Sequence, residues 1–139
     1  MSQASKVARW SRAVAAAGLV TGGILFATSS PASANSNFNG SCESAEACFW
    51  NGSIYEGTPW DYEGTDTNFT NNYYPKSGPK LDNSAAGINN NGTSCTAAVG
   101  QNVGGASAQG WIIRLGRGGT ADLYYSTKNN QASSLWWEC

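Results

Sequence analysis

Histidine is absent from the 139-residue chain. Without it there is no Ser-His or Cys-His nucleophile system and no imidazole metal site. Long apolar runs are scarce: Ala13–Ala27 is followed by nothing long enough to cross a bilayer. That run comes after Lys6, Arg9 and Arg12 and before Ala32-Ser33-Ala34, a small-x-small cleavage site. The order predicts a secretory signal peptide over residues 1–34, too short in its apolar part to span a membrane itself. Its removal takes three of the eight bases and none of the nine acids, so the remaining 105 residues carry a net charge of −4 rather than −1. Five scattered bases cannot track a phosphate backbone, which argues against nucleic acid as a partner. Amphipathic helix periodicity is missing too, since no window of eleven keeps apolar residues at i, i+3, i+4 and i+7.

What remains is rich in Gly, Asn, Ser and Thr, with five Trp and six Tyr among short stretches. The length suits one domain with a modest core. The four Cys all follow the cleavage site, as in an exported domain stapled by two disulfides. Strand-like pieces at Cys48–Trp50, Trp111–Leu115 and Leu123–Tyr125 are separated by turn pairs such as Asn51-Gly52, Ser77-Gly78, Asn91-Gly92 and Gly118-Gly119. Many short strands with frequent turns predict an all-β sandwich or barrel. A repeat with a constant shift of 47 residues runs through the chain. Cys48 maps to Cys95, Gly57 to Gly104, Asp82 to Asn129, Asn83 to Asn130, Ala85 to Ala132 and Ile88 to Leu135, with no insertion. Two units of about 45 residues, each too small to bury its own apolar face, are expected to pack as one domain.

The stretch Cys48-Phe49-Trp50-Asn51-Gly52-Ser53-Ile54-Tyr55-Glu56-Gly57 resembles the opening of the bacterial peptidase inhibitor I36 family, a β/γ-crystallin-like group of double Greek keys. Cys42 fits the start of that family as well. Asn129-Asn130-Gln131-Ala132-Ser133-Ser134 is similar to the end of a β/γ-crystallin motif, (Asn/Asp)-(Asn/Asp)-x-x-(Ser/Thr)-Ser. The first half departs from it: in Asp82-Asn83-Ser84-Ala85-Ala86-Gly87 both motif hydroxyls are missing. In the second half, Ala97 and Val103 replace the opening aromatics. The resemblance implies an all-β, β/γ-crystallin-like double Greek-key sandwich over 42–139. Its units would be about 42–92 and 93–139, after a short N-terminal tail at 35–41. It implies a secreted extracellular protein, monomeric and not an enzyme, that binds an extracellular protease by direct contact. Physically, a Gly after an aromatic suits a tight folded hairpin, because Gly takes φ > 0 without steric cost. A late Ser can then hydrogen-bond that hairpin's backbone.

Pairing Cys42 with Cys48 closes a short local ring, and pairing Cys95 with Cys139 ties the C-terminus to the start of its own unit. Loop entropy leaves the connectivity open, since the alternatives also close long loops. The β/γ-crystallin clamp implies a weak Ca²⁺ site, no cofactor being required. Asn129, Asn130, the Gln131 carbonyl and Ser133 would serve one half, and Asp82 and Asn83 the other. Against it, Ala86 stands where a hydroxyl is needed, and the same Asn and Ser residues serve equally as turn caps. Glu56, Asp61, Glu63 and Asp66 read as a solvated acidic edge rather than a glycosidase pair. The segment Asn68–Lys80, with Tyr73, Tyr74, Pro75 and Lys76, is the candidate partner-binding loop, because Pro reduces the entropy lost on binding. Rival readings are a calcium-stabilised module, a killer-toxin-like or antimicrobial protein, and a carbohydrate-binding module using Trp60, Tyr62, Trp136 and Trp137. The sequons at Asn39, Asn51, Asn68 and Asn91 follow from composition.

Overall fold

The computed structural model describes residues 37–139, which lie within the compact unit Ser33–Cys139. The expected signal peptide and residues 35 and 36 lie outside the described residues. The elements are β1 (Ala47–Trp50), β2 (Trp60–Tyr62), β3 (Gly87–Asn90), β4 (Thr96–Gly100), β5 (Ile112–Leu115), β6 (Thr120–Asp122) and β7 (Ser134–Glu138), with short 3₁₀ turns at Phe69–Asn71 and Gly105–Ser107. Among the described residues no helix is long and apolar enough to cross a membrane.

All strand pairs are antiparallel. One sheet runs β2-β1-β3-β6 and the other β5-β4-β7. The connectivity is a double Greek key in which the two halves exchange their third strands. From the second half, β6 joins the first sheet against β3, pairing Ile88 with Ala121. From the first half, Asp66 bridges to Leu135 on the outer side of β7, through Asp66 N–H to Leu135 O at 2.9 Å and the reciprocal bond at 2.6 Å. Neither half closes its own sheet, so the domain folds as one unit.

Alternation along the strands sends Ala47, Phe49, Trp60 and Ile88 from one sheet and Ala97, Val99, Leu115 and Leu135 from the other into a shared core. Phe69 and Leu81, from the connection between β2 and β3, fill its end. Phe49, Trp60 and Phe69 meet with centroids 5.3–5.4 Å apart and tilted or edge-on, the geometry that ring quadrupoles favour. Two cysteine pairs are bonded, Cys42 with Cys48 and Cys95 with Cys139.

The repeat register differs from the constant shift of 47. Ile88 and Leu135 are equivalent at that shift, but their partners are Phe49 and Val99, which are 50 apart. Cys48 therefore corresponds in space to Ala98, and Cys95 precedes its strand. The β4–β5 connection is also two residues longer than that between β1 and β2. Surface hairpins absorb such insertions freely, whereas the corner leading into the last strand is held from both sides.

Behind each corner the hairpin is secured differently. In the second half Ser134 Oγ donates to the Asn102 carbonyl at 2.8 Å. At the equivalent position the first half has Gly87, where a Cβ would stand 2.6 Å from the Ile54 N and Cα. The missing motif hydroxyl is replaced by direct backbone contact.

Candidate functional site

The corner segments 82–86 and 129–133 come together about the pseudo-twofold of the sandwich. Asn83 and Asn130 both take the left-handed region, each at φ 55°. Asn83 N–H donates to the Ala132 carbonyl (3.0 Å), and Asn130 N–H to the Ala85 carbonyl (3.2 Å). Asn tolerates this region because its short polar side chain bonds locally. Ser133 Oγ lies 3.5 Å from Asn83 Oδ1, whereas Ala86 offers no oxygen on the mirrored side. Asp82 Oδ1 and Asn129 Oδ1 are solvent-inaccessible and have no hydrogen-bond partner. Asp82 Oδ2 accepts from Asn83 Nδ2 at 3.0 Å, and Asn129 Nδ2 donates to the Tyr124 carbonyl at 2.9 Å. The Gln131 side chain is committed to Trp111 Nε1 and the Thr127 carbonyl, so only its main-chain carbonyl can serve a cation. Among the described residues no three Asp, Glu or Cys side chains stand together as metal ligands.

The candidate loop is a tight hairpin. Leu81 N–H bonds the Asn72 carbonyl (2.9 Å), Tyr74 N–H the Pro79 carbonyl (3.0 Å) and Gly78 N–H the Tyr74 carbonyl (3.2 Å), with Tyr73 bridged to Lys80. The Asn72 side chain donates to Asp66 and the Ser84 hydroxyl to the Lys80 carbonyl, tying both ends to the body. Tyr73 is 55% exposed, but Tyr74 is only 5% exposed and faces the core. Burial pushes the Tyr74 phenol up, against a lowering interaction with Ser84. Lys76 and Ser77 at the tip have φ of 59° and 63°.

The four acids do not share one environment. Glu56 and Glu63 are exposed and Asp66 is partly buried, but Asp61 is fully buried. Asp61 lies opposite Cys48 and so on the outer face of the first sheet. There the segment 37–46 is laid over it as a strap. The Asn39 and Gly40 N–H groups donate to the Asp61 carboxylate at 3.0 and 2.7 Å, and Phe38 stacks on Tyr62. Glu46, missed by sequence reasoning, is the second buried carboxylate on this face. Its Oε2 accepts from Glu43 N–H at 2.6 Å, while its Oε1 is buried without a partner. Desolvation raises its pKa to about 7, and the negative charges of Asp61, Glu43 and Glu63 add to the rise against the Glu43 N–H. Desolvation also raises Asp61, opposed by the strap N–H groups. The signal for Glu46 was its position two residues before Cys48, on the same strand face.

The aromatics divide differently from the sequence reading. Trp60 and Trp136 are buried, and Tyr62 and Trp137 are half-buried. Tyr55, Tyr124 and Tyr125 are exposed instead. The third strand is Thr120–Asp122 rather than Leu123–Tyr125; Leu123 turns inward, which leaves Tyr124 and Tyr125 on the following turn.

No family model and no curated protein matches the chain. A solved structure described as "Evolution of the eye lens beta-gamma-crystallin domain fold" is similar to it. The TM-score is 0.54 at 18% identity, over 70% of this chain and 90% of that one. At that identity the likeness speaks of fold and not of activity. Strand exchange, paired corners and this likeness agree: the chain has the β/γ-crystallin domain fold.

Proposed function

We propose that the chain is a secreted, non-catalytic binding module of the proteinase-inhibitor type, a monomer that meets an extracellular protease through the 72–81 hairpin. The observation behind this is the hairpin's preorganisation. Three main-chain bonds, two Pro and ties to Asp66 and Ser84 restrict it before any partner arrives, so little entropy remains to be lost on binding. Tyr73 supplies a rigid amphipathic ring, a frequent hot-spot type. The left-handed backbone at Lys76 and Ser77 is not the extended form that adds to an enzyme's strand edge. The contact therefore runs along the Tyr73 flank rather than through a substrate-like bond at Lys76. The test is inhibition of secreted metallo- and serine proteases at micromolar concentration; a panel left fully active contradicts the reading.

A second reading is favoured by a different observation. The unpartnered, buried Asp82 Oδ1 and Asn129 Oδ1 sit at equivalent corner positions, one in each half, and Ser133 Oγ reaches across to Asn83 Oδ1 at 3.5 Å. Hard oxygens of this kind suit Ca²⁺. Asp82, Asn83, Ser133 and the Gln131 carbonyl would hold one ion, while Ala86 deprives the mirrored side of its hydroxyl. One carboxylate makes such a site weak. Calcium would then stabilise the fold, raising the melting temperature in millimolar CaCl₂ over EGTA; no shift assigns these residues to turn architecture.

A further inference from the structure

Three loops line an open surface groove of about 470 Å³. The β1–β2 connection contributes Asn51, Glu56 and Thr58, the 72–81 hairpin contributes Tyr74 and Pro75, and the turn after β6 contributes Tyr124. Its volume falls in the ~300–1,000 Å³ range of small-molecule sites. The walls combine two chemistries. Tyr124, 44% exposed, gives flat apolar surface, with Pro75 beside it on the hairpin. Asn51 and Thr58 bring an amide and a hydroxyl, and Glu56 brings a carboxylate acceptor; no Lys or Arg lines the groove.

Each wall is held in place before a ligand arrives. Asn51 Nδ2 donates to the Ser84 carbonyl at 2.9 Å, which fixes the β1–β2 connection against the corner. Tyr124 N–H donates to Asp122 Oδ1 at 3.1 Å and its carbonyl accepts from Asn129 Nδ2, which fixes the turn. Tyr125 packs edge-on against Tyr124 with centroids 4.9 Å apart, supporting the ring from outside the groove. The groove thus has ordered aromatic surface beside uncharged and anionic hydrogen-bonding groups.

We propose that this groove binds a neutral oligosaccharide. A pyranose ring carries an apolar C–H face and a rim of hydroxyls, each both donor and acceptor. The first matches an exposed aromatic ring, and the second matches amide, hydroxyl and carboxylate groups placed around it. Phosphorylated or sulfated ligands do not fit, because no cation faces the groove and Glu56 repels them. The site does not depend on the protease reading, although Tyr74 and Pro75 belong to the hairpin invoked there.

The test is titration of the oxidised protein with chitotriose and with cellotriose, followed by amide chemical shifts. Saturable shifts confined to 51–58, 74–78 and 124 are expected, with Tyr124→Ala weakening binding roughly tenfold or more. Absence of shifts at about 10 mM of either saccharide overturns the proposal. So do shifts centred elsewhere, or an affinity indifferent to Tyr124→Ala. If an inhibited protease occupies these amides while neither saccharide moves them, the groove is a protein contact and the saccharide assignment fails while the protease reading stands.

Discussion

Asn83 and Asn130 mirror one another across the sandwich: each stands at φ 55°, and each donates its N–H to a carbonyl of the opposite corner, Ala132 and Ala85. This exchange fixes the approach of the two halves at the point where their final strands begin. A residue with a Cβ and no local hydrogen bond pays about 1–2 kcal/mol in this region. Asn83→Ala and Asn130→Ala should therefore each destabilise by roughly 1 kcal/mol, and the Gly substitutions by much less. Denaturant unfolding of the four variants checks the ordering.

Gly87 and Ser134 solve the same packing problem in opposite ways, so their substitutions should differ in kind. Gly87→Ala drives a Cβ into the Ile54 backbone, which has no flexible end to move. Overpacking of this sort costs about 1–3 kcal/mol. Ser134→Ala removes one hydrogen bond to Asn102 and costs about 1 kcal/mol. Melting temperatures should fall further for Gly87→Ala.

Glu46 makes stability depend on pH. Its folded pKa, about 7, lies above its ordinary 4.5, so the folded state binds the proton more tightly than the unfolded chain. The stability linked to that proton is complete below about 4.5 and is lost as pH rises through about 7. Asp61, raised in the same direction, reinforces the trend. The melting temperature should decline across this interval, and Glu46→Gln should flatten the decline. A profile that rises toward neutral pH contradicts the assignment.

The two disulfides should contribute unequally. Cys42–Cys48 spans a separation of 6 and Cys95–Cys139 one of 44. Chain entropy gives about 2.4 kcal/mol for the first and about 4 for the second. Replacing each pair by Ser and comparing unfolding free energies tests the difference.

The sandwich was legible because short strands, frequent turns and a repeated corner are local signals. The corner's shift of 47 places Asp82 against Asn129 and Ile88 against Leu135. The Cys48–Cys95 match was coincidental, since cysteine carries no mark of strand register and the hairpins between corner and strand vary in length. Exchange of the third strands left no trace in the chain, because β6 is three residues long and the Asp66 contact a single bridge. Burial of Asp61 was hidden for a related reason. Its ligands are backbone N–H groups of the strap, and N–H groups of any residue serve equally.

Inhibition kinetics with the wild-type chain and Tyr73→Ala bear most directly on the proposed role. The hairpin reading predicts micromolar or tighter inhibition of at least one secreted protease, weakened roughly tenfold or more by Tyr73→Ala with the fold intact. Equal inhibition by both proteins, or none by either, contradicts it.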